Sequence, residues 1–252
     1  MIGSGQDPKV NSDEDTLAWM RSRGDYVEGY RGTVAEGNGF LVAPGTTRTT
    51  VGIDFWDKIY VINNPNVPGG KMGVLFMDTQ GLWDPHADNK MNCSIYGLSC
   101  MLSSYLIANQ MGVITSDFVK SMAALTDFSN ELEEHTRGKS FQHLDILIRD
   151  HPDIDPIDGS YEDCIKAGEE QTKRLENSPA FKQYTSQIKD CFESFGVSCL
   201  PGMNSSCIIS GRIRDFHQLF MISLGHYVEK VITNIKPRII DGKEMSCNSF
   251  ME

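Results

Sequence analysis

No stretch of this 252-residue chain approaches the roughly 18 to 20 uninterrupted apolar residues that a helix needs to cross a bilayer. The start, Met1-Ile2-Gly3-Ser4-Gly5-Gln6-Asp7, also lacks the hydrophobic region of a signal peptide. The expectation is a chain that is soluble and cytosolic as given, with no membrane segment. Excess positive charge is missing too. A net charge of −11 argues against a nucleic-acid partner, because neutralising phosphates takes clustered Lys and Arg. A nucleotide pocket stays open, since it needs only a few local donors. Seven cysteines, at 93, 100, 164, 191, 199, 207 and 247, form no Cys-x-x-Cys pair and no Cys/His ligand spacing. Reduced thiols are the simplest reading. The six histidines, at 86, 135, 143, 151, 217 and 226, show no triad or zinc spacing, so solvated or partly packed imidazoles are expected.

With 40% hydrophobic residues the composition is that of a folded chain, long enough to bury a core. The first 38 residues differ from the rest: they are acidic and Gly-rich, and read as a leader of loop with at most one short helix. From Lys58 the run Lys-Ile-Tyr-Val-Ile-Asn predicts a strand that stops at Asn63-Asn64-Pro65. A second run, Met72 to Asp78, is apolar on both faces and suits a buried central strand, with the two forming a hairpin. Ile95, Leu98, Met101, Leu102, Tyr105 and Leu106 have helical spacing, which predicts a helix over 91–108. A helix over about 115–136, a strand over Phe141–Asp150, two or three helices over 160–195, an apolar piece at Val197–Leu200 and a helix over Arg214–Ile235 follow. This alternation predicts an α/β fold, a mostly parallel sheet flanked by helices.

Three segments carry chemistry. Gly73-Val-Leu-Phe-Met-Asp78-Thr79-Gln80-Gly81 is an apolar strand ending in Asp with Gly three residues on. Asp78 in that place suits a magnesium site, and Gly81 suits close approach of a γ-phosphate to its N–H. Taken alone, the pattern also fits an ordinary turn at a strand end. Upstream, Thr49-Thr50-Val51-Gly52-Ile53 places Thr50 where a switch-loop hydroxyl would reach magnesium, although a Thr cluster at a strand start fits equally. Arg149-Asp150 ends the third strand. A carboxylate there can accept both the N1–H and the exocyclic amino group of guanine, a pair that adenine does not offer, although an ordinary strand-ending Asp fits equally.

In order, T-T-x-G-I, an I-N-x-P turn, L-x-M-D-T-Q-G and F-Q-x-L-x-x-L-x-R-D resemble the GTPase domain of atlastins, in the atlastin and guanylate-binding branch of the dynamin superfamily. Cys191-Phe192 leading to Cys199-Leu200-Pro201, and Asp241-Gly242-Lys243-Glu244-Met245-Ser246-Cys247, add to the likeness, which runs from residue 39 to 252. The resemblance implies a P-loop NTPase-like fold and hydrolysis of GTP to GDP with Mg²⁺. Thr50 and Asp78 would serve the metal, Thr50 and Gly81 catalysis, and Asp78, Gly81, Arg149 and Asp150 the nucleotide. It further implies a GTP-dependent homodimer that tethers and fuses endoplasmic reticulum membranes. A guanine cap would fall at Pro201 to Ser206.

That family also needs G-x-x-x-x-G-K-[ST], whose N–H groups and Lys cradle phosphates. The one Gly-Lys-Ser, at 138–140, has Glu133 in place of the first Gly, enters a predicted strand and follows Asp78. It reads as coincidence. The expectation is a GTPase domain over 39–252 that is N-terminally incomplete, with binding and hydrolysis impaired. The alternative is a catalytically dead dimerisation module derived from the same family.

Overall fold

The computed structural model describes residues 50, 52–56, 59–64, 67, 69–81, 89–124, 139–203, 216–240, 242–246 and 249. The leader expected over 1–38 lies outside them. The chain divides into two compact units, one assigned Met1–Ser99, Asn204–Phe216 and Ser246–Glu252, the other Cys100–Met203 and His217–Met245.

In the first unit, β2 (Tyr60–Asn63) and β3 (Lys71–Val74) form the expected antiparallel hairpin, with Tyr60 opposite Val74 and Asn63 opposite Lys71. The Asn64 N–H closes the connection on the Gly70 carbonyl at 2.9 Å. The apolar run from Met72 to Asp78 is not one buried strand. It divides into β3 and β4 (Met77–Thr79), and β4 pairs antiparallel with β1 (Ile53–Phe55). Met72 and Val74 are buried while Lys71 and Gly73 are exposed, so β3 alternates in the manner of a half-covered strand. Val61, opposite Gly73, is 64% exposed on that outer face. Helix α1 (Asn89–Leu102) follows, and the division between the units falls in its last turn.

The second unit is built on a parallel sheet in the order β5–β6–β7, formed by Tyr105–Met111, Phe141–Arg149 and Phe192–Cys199. β6 lies in the middle. Leu144, Ile146 and Ile148 on one face and Asp145 on the other are all at most 1% exposed, so both faces of the strand are covered. The flanking helices are α2 (Ser116–Ala124), α3 (Tyr161–Asn177), α4 (Lys182–Cys191) and α5 (Gln218–Asn234). A small hairpin of β8 (Ile239–Ile240) and β9 (Lys243–Glu244) ends the unit.

β5 is the main departure from expectation. The helix predicted over 91–108 stops at Leu102, and Tyr105 and Leu106 begin a strand. Both residues happen to continue the helical phase of Leu98 and Leu102, so periodicity alone runs through the Ser103-Ser104 break. β7 is likewise longer than the piece expected at Val197–Leu200, because α4 passes into it without a loop: the Phe192 N–H still closes on Ile188 as β7 begins. The helix expected over 115–136 is described through Ala124; 125–138 lie outside the described residues.

Capping explains where α3 starts. Ser160 accepts the Asp163 N–H, and the Asp163 carboxylate accepts the Ser160 N–H at 2.9 Å, a reciprocal box that satisfies donors the first turn leaves free. Ser160→Ala is therefore expected to lower stability by about 1 kcal/mol in urea unfolding.

Candidate functional site

In the first unit the structure brings two of the expected site residues into contact. The Thr50 hydroxyl donates to Asp78 Oδ2 at 2.6 Å across 28 residues of sequence. The β1–β4 pairing makes this possible, since Asp54 stands opposite Asp78 and Ile53 opposite Thr79, which carries the segment containing Thr50 to the end of β4. Gln80 then locks the segment. Its N–H donates to the Gly52 carbonyl, its side-chain oxygen accepts the Gly52 N–H, both at 3.0 Å, and its amide nitrogen donates to Asn92 of α1 at 3.3 Å. Gln80 is 2% exposed, so these bonds are made out of water, where leaving them unmade is costly. Gln80 belongs to the D-T-Q-G segment, whose pattern alone gives it no role. Gly81 follows, exposed, with no described neighbour within 4 Å of where a Cβ would stand. Nothing in the described fold requires glycine there. Thr49 and Val51 lie outside the described residues.

In the second unit, Arg149 and Asp150 close β6. Among the described residues Asp150 is the only non-glycine with a left-handed backbone, at φ 55°. That conformation is uncommon outside glycine and best tolerated by Asn and Asp. It turns the chain out of the sheet at the carboxyl end of the central strand, the end where open α/β sheets bind ligands. Asp150 Oδ2 faces the Arg149 guanidinium at 3.4 Å and Oδ1 accepts the Met203 N–H at 3.2 Å. Arg149 Nε donates to Asn109 of β5 at 3.0 Å. The Asp150 side chain is still 30% exposed and Arg149 39%. The pair is thus fixed in direction yet open to a ligand. Of the loop expected to cap guanine, Pro201 to Met203 are described and 204–206 are not.

Residues 32–199 match the family described as "Guanylate-binding protein, N-terminal domain". The chain belongs to that family. Similar curated proteins are Atlastin-2 of Homo sapiens, 29% identical over 229 residues that cover 85% of this chain and 38% of that protein, and Atlastin-1 of Pongo abelii, 26% identical over 256 residues covering 95% and 42%. Atlastin-2 of Xenopus laevis is 27% identical over 229 residues, covering 85% and 38%. The chain therefore spans about two fifths of the length of these relatives. Membership of the guanylate-binding family identifies the fold as a P-loop GTPase fold, in accord with the parallel sheet and its flanking helices.

Within this guanylate-binding fold, Lys139 has a structural task. Its ammonium donates to the Lys189 and Phe192 carbonyls at 2.6 and 2.9 Å, tying the start of β6 to the junction of α4 and β7. Among the described residues there is no cluster of three His, Cys, Asp or Glu side chains able to hold a metal, and the five described cysteines form no disulfide. No described helix is long and apolar enough to cross a membrane. Thr50 and Asp78 still offer two hard oxygens on one spot, a donor set that fits Mg²⁺ with water completing its shell.

Two buried polar centres carry no signal in the sequence. Gln142, inside the F-Q motif, accepts from the Ile239 N–H and the Arg238 guanidinium and donates to the Pro237 carbonyl, each at 2.9 Å, so it pins the tail to β6. Asp145 of β6 is 0% exposed and is met by Lys230 of α5 at 3.1 Å, by the Ser198 hydroxyl at 3.1 Å and by the Tyr105 hydroxyl at 3.4 Å. Burial, and then the Asp145 charge, push the Tyr105 phenol well above its ordinary range, so it stays a donor. Burial likewise pushes the nearby Cys199 thiol up to about 12, which leaves it inert.

Proposed function

We propose that this chain carries the guanine-nucleotide and Mg²⁺ chemistry of an atlastin-type GTPase, with hydrolysis weakened in this sequence. The observation that carries the reading is the 2.6 Å contact of Thr50 with Asp78. A Thr hydroxyl beside the Asp that ends an apolar strand is a pairing suited to the metal end of a GTPase site. In this reading Asp78 holds Mg²⁺ through water, Thr50 turns its hydroxyl from Asp78 to the ion, and Gly81 offers its N–H to the γ-phosphate. Mg²⁺ supplies neutralisation of phosphate charge as it develops. Asp150 accepts the two donors of guanine, while Arg149 holds its carboxylate in place.

Weak hydrolysis is proposed because the 252 residues contain no G-x-x-x-x-G-K-[ST], so most phosphate contacts of such a site are missing from the sequence. The same feature favours a second reading, a dimerising module that pairs with an intact relative. A GTP-dependent homodimer acting on the cytoplasmic face of the endoplasmic reticulum, and a GTPase domain over 39–252 behind a leader at 1–38, are proposed from the likeness to atlastins.

Titration of the purified chain with a fluorescent GTP analogue and Mg²⁺ tests the reading. Binding in the micromolar range or weaker is expected, displaced by GTP and GDP and not by ATP, with phosphate release near background. Equal displacement by ATP refutes the guanine assignment, and rapid hydrolysis refutes the claim of weakened catalysis.

A further inference from the structure

His151, next to the base-reading Asp150, is 3% exposed and hydrogen-bonded through its ring on both sides. Its Nδ1 accepts the Asp153 N–H at 3.3 Å, which leaves the proton of a neutral ring on Nε2. Nε2 lies 3.2 Å from the side-chain amide nitrogen of Gln171 on α3, while the Gln171 oxygen, also buried, has no partner. Turning the amide over matches donor to acceptor, with Nε2–H donating to the Gln171 oxygen, and leaves the amide nitrogen at the position without a partner. The backbone is held as firmly. The His151 N–H donates to the Leu200 carbonyl at 3.1 Å and its carbonyl accepts the Ile154 N–H at 3.3 Å. The left-handed turn at Asp150 is thus followed directly by a residue fixed to the segment just after β7, to α3 and to its own loop.

We propose that His151, braced by Gln171, is a positioning residue that holds Asp150 in its left-handed conformation and so sets the affinity for guanine. The inference rests on the guanine reading of Asp150. It requires a neutral ring, because an imidazolium would turn Nδ1 into a donor aimed at the Asp153 N–H. The charged groups facing the ring are Asp153 of its own turn and Glu170 of α3; both favour the cation, and burial outweighs them, holding His151 below the ordinary histidine range. The sign follows: the brace is intact at neutral pH and is lost as the pH falls through that depressed value.

The test uses the full chain from about pH 7.5 down to about pH 5, reaching below the ordinary histidine range. It reads two signals, the ¹H–¹⁵N amide shifts of Asp150 and Met203 without ligand, and the dissociation constant of a fluorescent GDP analogue with Mg²⁺. In the wild type both amides should move together with the His151 ring, and affinity should fall by about tenfold, the equivalent of one ordinary hydrogen bond. His151→Asn keeps an acceptor for the Asp153 N–H and does not titrate, so its shifts and affinity should be flat with pH. Gln171→Met should weaken GDP binding at both ends of the range with helix content retained. Amide shifts of Asp150 and Met203 that ignore the ring, a His151→Asn chain as pH-sensitive as the wild type, or wild-type affinity in Gln171→Met overturns the proposal. Co-titrating amides without GDP binding at any pH would sink the guanine reading alone and leave the brace standing.

Discussion

Lys230→Met is expected to lower the unfolding free energy by about 2 to 3 kcal/mol, read from urea transitions, although Lys230 touches no candidate site residue. The reason is Asp145. Its carboxylate is 0% exposed in the central strand, and Lys230 is the cation that meets it. Removing one partner of a buried pair leaves the other charge unpaired, which costs about 3 to 5 kcal/mol when both are fully buried. Lys230 is 39% exposed, so water screens part of the interaction and the lower figure applies. The two ends of the pair are unequal. Asp145→Asn keeps the shape, leaves Lys230 able to reach solvent, and should cost less than Lys230→Met. Combining the two should recover much of the Lys230→Met loss, since a neutral amide can still bond Ser198 and Tyr105. A double variant as unstable as the sum of the singles would mean that the pair contributes through packing alone. The site has no room to adapt by sliding, because a Cβ at Gly196 would stand 2.8 Å from Asp145 Oδ1, which is why glycine occupies β7 there.

The pattern of what could be read from residues alone follows from the range of each interaction. Strand β6 and the β2–β3 hairpin were legible because local runs of β-branched and aromatic residues, closed by Asn, Pro and Gly, decide them. Strand β5 was not, because Tyr105 and Leu106 fall in phase with the preceding helix, and only pairing with β6 makes that segment extended. The split of residues 72–78 into β3 and β4 has the same origin: an apolar run states that it is buried somewhere, and the choice of partner is made by β1 and β2. Among site residues, Thr50 and Asp78 were legible as motif members, and their contact is a product of the β1–β4 register. The bonds of Gln80, Asp145, His151 and Gln171 were not legible, because a polar residue in a linear sequence carries no sign of whether a partner will reach it. Their bonds span from 2 to 85 residues of sequence, and most are too distant for any local pattern to announce.

Asp150→Asn should reduce affinity for a fluorescent GDP analogue by about 100-fold while leaving the fold intact, which separates base recognition from backbone geometry. Asn tolerates the left-handed conformation nearly as well as Asp, so the turn at φ 55° is kept. Its side-chain oxygen can still accept the Met203 N–H that now bonds Oδ1. What changes is the pattern shown to the base. Guanine presents two donors side by side, and a carboxylate answers with two acceptors. The amide offers one acceptor and one donor, so one guanine donor meets another donor, a loss of about 1.5 to 3 kcal/mol for a bond to a charged group plus the repulsion that replaces it. The amide instead complements xanthine, which shows a donor beside an acceptor, and xanthosine diphosphate should compete better with the variant than with the wild type. Asp150→Ala makes the contrast: it loses the same recognition, but it also places a Cβ-bearing residue without a local hydrogen bond in the left-handed region, at an added cost of about 1 kcal/mol in stability. Unchanged GDP affinity in the well-folded Asp150→Asn chain would remove Asp150 from base recognition and, with it, the part assigned to Arg149.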